Sequence, residues 1–410
     1  MLFQKDIQYY KFCAYGFFKN LRFFDAFLLL FFIEKGLSYA QIGILYAFRE
    51  VVINLFEVLS GIIADVLGRK RAMIGAFVMY LFSFLMFYGF THFIGFIVAF
   101  LFFGLADAFR TGTHKAMILA YLKKHNWQDA KTVYYGRTRS WSQRGSAISA
   151  LIGAVFVFYT GNYSLVFLLS MVPYLIDLVL LSTYPNYLNG ETKGELKGLF
   201  LLVKNNIVQL ILALKQRAAI QTIILSSNFT GYYKASRDYL QIIIAHTALV
   251  YPLFTHVDEE RNAAVYIGLI YFLLYALGSL AARKAYIIEK KFASPDKALI
   301  RIQGFGWVIG ILAGVCYINE YYFAAIFLFS LILIVQNIRR PISVKFVSSQ
   351  FDDKIMASIL SVESQSETIF AAIMALMLGF MVEFIGLGWG ICVLSVLLIS
   401  VSTLTLKKMK

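Results

Sequence analysis

The sequence predicts an all-α membrane protein, with twelve transmembrane helices in two pseudo-symmetric six-helix bundles, and three observations predict it. The 410 residues are 60% apolar and only 15% charged, with a mean hydropathy of +0.71, whereas charged residues make up about a quarter of a soluble domain. Solid apolar runs recur from residue 12 to residue 406, each long enough to cross about 30 Å of hydrocarbon as a helix. A transmembrane β-barrel would show weakly alternating segments of about 10 residues instead. Finally, the basic residues gather between alternate runs, which gives each run a direction.

The runs fall at 12–34, 40–63, 71–91, 93–121, 138–160 and 163–183, then at 219–250, 262–288, 299–318, 321–341, 357–383 and 386–406. Between the two sets lies a connection that opens Tyr184-Pro185-Asn186-Tyr187 and holds Asn189-Gly190, Gly194, Gly198 and mixed charge. That composition reads as a linker with one surface helix. The expected division is a bundle over 1–183, a linker over 184–217 and a bundle over 218–410. One set of ends carries Lys5, Lys11, Arg69 to Arg71, Lys123, Lys124, Arg137, Lys193, Lys197, Arg283, Lys284, Arg339, Arg340 and Lys407, while the other holds little beyond Lys35 and Arg261. The positive-inside bias places both termini and the linker in the cytoplasm. A plasma (inner) membrane of a bacterium suits these clusters. Lys19-x-x-Arg22 recurs as Lys234-x-x-Arg237 and Gly61 as Gly278, at offsets of 215 and 217, which suggests a duplicated six-helix unit.

Composition excludes several classes. The net charge of +15 is spread over alternate loops rather than along one face or tail, so it does not point to nucleic acid. Cys13, Cys316 and Cys392 lie far apart and offer neither a metal spacing nor a disulfide framework. The first run is no cleavable signal, because Lys19, Arg22 and Asp25 interrupt it. No HExxH or Walker A pattern is present, and His125-Asn-Trp-Gln-Asp129 has the wrong spacing for an acyltransferase motif. No enzyme, cofactor or metal is expected.

The most informative stretch joins the second and third runs. Gly61-x-x-x-Asp65-x-x-Gly68-Arg69-Lys70-Arg71 puts a carboxylate at the end of one apolar segment and three cations at the start of the next. It resembles motif A of the major facilitator superfamily in position, spacing and residue types. The resemblance implies a conformational gate made of Gly61, Asp65, Gly68, Arg69 and Lys70, with Asp65 capping or pairing with a helix end of the other half and the glycines allowing a tight turn. The second copy has Ala282 where the carboxylate would sit, so the latch is one-sided. Span 5, from Gly145 to Gly153, lacks the proline of the antiporter motif of drug exporters.

Ionisable groups inside hydrocarbon cost several kcal/mol unless paired or facing water, which makes each a functional candidate. In the superfamily, spans 1, 4, 7 and 10 line the cavity. The resemblance therefore implies substrate binding by Lys19, Arg22, Arg110, His114, Lys234, Arg237 and Gln241. Helical spacing would pair Arg22 with Asp25 and Lys234 with Asp238, and would align Asp107, Arg110 and His114 in one stripe. Six cations on spans 1, 4 and 7 (Lys115 among them) outnumber Asp25, Asp107 and Asp238, and such a cleft concentrates anions. Asp25, Glu50 and His114 are the candidates for ion coupling, since a carboxylate moved between wet and dry states can take up and release a proton and histidine titrates near neutrality. Asp177 and Glu383 read as lone structural charges near span ends.

These residues predict a secondary active transporter for a small anionic or zwitterionic solute, working by alternating access and coupled to an ion, H+ or Na+. The expected partners are the solute, the coupling ion and the lipid bilayer, with no nucleic acid, and the expected state is a monomer. The alternatives are a drug or amphiphile efflux pump of the same fold and an intramembrane enzyme.

Overall fold

Each apolar run becomes helix, as it must where no water is present to satisfy backbone N–H and C=O groups. A computed structural model describes residues 3–190, 217–350 and 353–407. Most of the expected linker, with its surface helix, lies outside the described residues. The first half contains α1 (Ile7–Phe18), α2 (Leu28–Glu34), α3 (Tyr39–Leu67), α4 (Arg69–Gly89), α5 (Phe93–Arg110), α6 (Thr113–Lys124), α7 (Lys131–Thr160) and α8 (Leu165–Ser182). The second contains α9 (Arg217–Ser236), α10 (Leu240–Val250), α11 (Glu259–Glu289), α12 (Pro295–Ile318), α13 (Tyr322–Gln350), α14 (Asp353–Ile385) and α15 (Leu387–Lys407). Every one of the twelve expected runs is matched by one of these helices or by a consecutive pair.

The pairs are the departure from expectation. Span 1 is interrupted from Lys19 to Phe27, span 4 at Thr111 and Gly112, and span 7 by a 3-10 turn at Arg237–Tyr239. No proline or glycine causes the first break; neighbouring side chains replace the lost helical bonds. The Tyr174 hydroxyl donates to the Lys19 carbonyl at 3.1 Å, and the Phe23 amide donates to Ser170 Oγ at 3.1 Å. Gly153 brings α7 close, since a Cβ there would lie 2.9 Å from the Phe23 carbonyl oxygen. Non-helical backbone at membrane depth persists only where protein or a wet cavity satisfies it. The Lys-x-x-Arg repeat falls at the start of the break in both span 1 and span 7.

Packing gathers the described chain into two compact units. One comprises Met1–Phe27 with Val52–Val203, the other Leu28–Val51 with Lys204–Lys410. Chain membership therefore changes inside the broken span 1 and again midway along α3. Lipid tails are as apolar as leucine, so close packing and polar bonds hold such helices together rather than escape from water. In the first unit that packing is aromatic: Phe24 stacks on Phe167 at 5.1 Å, and Phe84 meets Tyr174 edge-on at 4.9 Å.

Candidate functional site

The first unit builds a charged cluster around one carboxylate. Asp107, in the last turn of α5, accepts from Arg110 Nη2 at 2.9 Å and from Arg22 Nη2 at 3.2 Å, both at Oδ1. The Tyr80 hydroxyl on α4 donates to the same oxygen. Arg22 also donates from Nε to the Tyr174 hydroxyl at 2.7 Å, and Arg110 from Nε to the Tyr80 hydroxyl at 3.0 Å. The side chains of Arg22, Arg110 and Asp107 are 14%, 19% and 14% exposed, so the group is largely dry. Two guanidinium groups share one carboxylate oxygen, which leaves a surplus of positive charge.

Where helical spacing predicts Asp25 as its partner, Arg22 reaches Asp107 on another helix, because Arg22 lies on unwound backbone that turns it toward α5. Asp25 and Lys19, both half-buried, remain within electrostatic reach of Arg22. His114 lies past the break at Gly112, stacked on Tyr15 with ring centroids 3.7 Å apart and 3.4 Å from the Tyr184 hydroxyl. Burial pushes that hydroxyl well above the usual phenol range, so it stays protonated. Lys115 stands apart from the cluster, exposed and 5.9 Å from the Tyr135 ring. Tyr80 and Tyr174 belong to the site on equal terms with the arginines, and the sequence carries no signal for them beyond being two more aromatics in a chain with 26 tyrosines.

The second unit holds its own cluster. Glu50 is 5% exposed and accepts from Arg49 Nη2 and Lys234 Nζ, each at 3.1 Å. Lys234 therefore pairs with Glu50 and not with Asp238, because the 3-10 turn at Arg237 removes the one-turn spacing that would align them. Asp238 pairs instead with Arg237 at 3.1 Å. Gln241 is fully buried and its Oε1 accepts from the Leu29 amide at 3.0 Å, anchoring the start of α2. Arg339, expected as a cytoplasmic charge, is fully buried in α13, where it donates to Thr230 Oγ1 at 3.0 Å and to the carbonyls of Leu225 and Ser226.

At the motif between α3 and α4, Asp65 pairs with Arg69 one turn later, at 3.1 Å. The turn belongs to Gly68 alone, with φ at 98°; Gly61 sits inside the continuous α3 with nothing within 4 Å of an added Cβ. A Cβ on Gly68 would lie 2.6 Å from Asn189 Oδ1, which accepts from the Lys70 amide at 3.0 Å. Lys70 Nζ donates to the Tyr184 carbonyl at 2.8 Å. An open cleft of about 640 Å³ beside it is lined by Asp65, Arg69, Lys123 and Gly190 among others. Gly68→Val is expected to cost about 1–3 kcal/mol in backbone strain alone, read as a lowered Tm of the detergent-solubilised protein; an unchanged Tm would show that the turn relaxes freely.

Among the described residues no group of three or more metal-ligating side chains converges, and Cys13, Cys316 and Cys392 are free thiols. Among the described residues seven segments are long and apolar enough to cross a membrane by length and composition. The fold is similar to that of several solved transporters. A nucleoside transporter, NupG, aligns with a TM-score of 0.72 at 14% identity, covering 98% of this chain and 97% of that one. A POT family transporter in complex with 5-aminolevulinic acid aligns at 0.71 and 12% identity, covering 97% and 95%. A D-xylose-proton symporter aligns at 0.66 and 13%, covering 95% and 94%. No curated protein sequence matches the chain. The sequence profile of the Major Facilitator Superfamily, however, matches residues 12–362, most of the chain. With its membrane-spanning helices and its charged turn between α3 and α4, the chain belongs to the Major Facilitator Superfamily, a superfamily of membrane transporters and not of enzymes.

Proposed function

We propose that the protein moves a small anionic or zwitterionic solute across the membrane by alternating access, coupled to protons. One observation carries the reading: Arg22 and Arg110 converge on a single oxygen of Asp107. A planar guanidinium matches carboxylate and phosphate oxygens in a two-pronged geometry. An incoming anion can take over one guanidinium and leave the other on Asp107, so binding needs no unpaired buried charge at any stage. Lys19, His114 and Asp25 border that cluster, while Lys234, Arg237 and Gln241 are the corresponding groups of the second unit. Glu50, held between two cations, suits a fixed ion pair better than a proton carrier. For the fold relative named as a proton symporter, the likeness is one of fold, which by itself does not fix function.

The gate is assigned to Gly61, Asp65, Gly68, Arg69 and Lys70, the six-plus-six division to 1–183, 184–217 and 218–410, and the termini to the cytoplasm of a bacterial cell. The test is uptake into proteoliposomes of a panel of carboxylates, phosphates, amino acids, neutral nucleosides and sugars, with and without a pH gradient. Anionic or zwitterionic solutes are expected to accumulate against their gradient when protons flow inward, and a protonophore should abolish it. Movement of neutral solutes or cationic amphiphiles alone would overturn the reading and favour an efflux pump.

A further inference from the structure

The first unit holds a second carboxylate that the site above does not use. Asp177, on α8, is fully buried, and neither of its side-chain oxygens has a hydrogen-bond partner. An ionised carboxylate offers about four acceptor positions, and buried polar groups are almost always satisfied. A carboxylate left bare in this way is a group that lacks its proton or its partner. It lies one helical turn from Tyr174, the residue that accepts from Arg22 and donates to the Lys19 carbonyl.

The groups around it are few. From α1 and the unwound stretch after it come the Tyr15 hydroxyl and Lys19, and beyond the end of α8 comes Tyr184. His114 on α6 lies behind these two tyrosines. Among the described residues neither α4 nor α7 brings a charged group that acts on Asp177. Lys19 is thus the one described cation acting on it, and Lys19 also feels Asp107, Asp25, Arg22 and Arg110. It couples the two ends of one charge system.

We propose that Asp177 is the proton-carrying carboxylate of the first unit and that its protonation sets the charge of the Arg22–Asp107–Arg110 site. This rests on the reading of the protein as a proton-coupled carrier of anions. When Asp177 is ionised, Lys19, Arg22 and Arg110 are balanced by Asp25, Asp107 and Asp177. When Asp177 takes a proton from water on the side to which the site opens, a carboxyl O–H bond forms, a hydronium O–H bond breaks, and one positive charge is left over. The field of Lys19 then falls on the anion. Loss of the proton on the other side restores the balance and expels the anion. One proton therefore travels with each negative charge.

The test is infrared difference spectroscopy of the full-length protein in lipid nanodiscs, with pH change as the only perturbation. A protonated-carboxyl C=O band is expected to grow on acidification, to vanish in Asp177→Asn and to return at a shifted frequency in Asp177→Glu. Lys19→Gln should raise the proton affinity of that band roughly tenfold, because the cation opposing protonation is gone. An absent band, or one that persists in Asp177→Asn, overturns the assignment. If Asp177→Asn does not fold, a midpoint unmoved by Lys19→Gln overturns it in the same way. Transport separates this proposal from the reading beneath it. A titrating Asp177 in a protein that moves no anion leaves the proton site standing and removes the substrate reading. Proton-driven anion uptake intact in Asp177→Asn does the reverse.

Discussion

Arg110→Ala is expected to lower uptake of carboxylate- or phosphate-bearing solutes into proteoliposomes at least a hundredfold, and Arg22→Ala to do the same. Truncating one member of a desolvated, hydrogen-bonded charge pair costs about 2–5 kcal/mol, which covers that range. The two losses should not add, since both arginines share Asp107 Oδ1 and neighbouring groups couple strongly. Arg110→Lys should restore little, because an ammonium cannot bond Asp107 and Tyr80 at once in the planar geometry of the guanidinium. Unchanged uptake in both alanine variants would remove the arginine pair from the substrate site.

Glu50→Gln has the second largest expected effect, and on stability rather than specificity. It leaves Arg49 and Lys234 facing each other across a neutral amide in a place that is 5% exposed. Breaking a buried pair by neutralising one partner costs about 3 kcal/mol or more. The expected readout is a clear fall in Tm, with Lys234→Met in the same chain recovering part of it. A Tm equal to that of the wild type would mean that water reaches the pair and that Glu50 is free to exchange protons after all.

The helices were legible because each run is long, apolar and bounded by charge, and the turn at Gly68 because its carboxylate, glycine and basic residues stand at fixed spacing. The breaks were not. Lys19 to Phe27 contains neither proline nor glycine, and it is unwound because Tyr174 and Ser170, some 150 residues away, complete its backbone. Spacing arguments that assumed an unbroken helix therefore paired Arg22 with Asp25 and Lys234 with Asp238. The arginines themselves could be picked out as expensive charges in an apolar run; their partner on another helix could not. Asp177 read as a stray charge near a span end, since whether a carboxylate has a hydrogen-bond partner is a property of tertiary packing.

The changes of unit within spans 1 and 2 differ mechanically. At Val51 the chain passes from one unit to the other along the middle of α3, an uninterrupted rod from Tyr39 to Leu67. At Phe27 it passes through backbone that has lost its helical ladder. Both passages link the same two units, one through continuous helix and one through backbone without helical hydrogen bonds. Lys19, Arg22 and Asp25 sit in the second of these, so the charges they balance lie where the backbone has no helical ladder of its own and depends on Tyr174 and Ser170 to complete it.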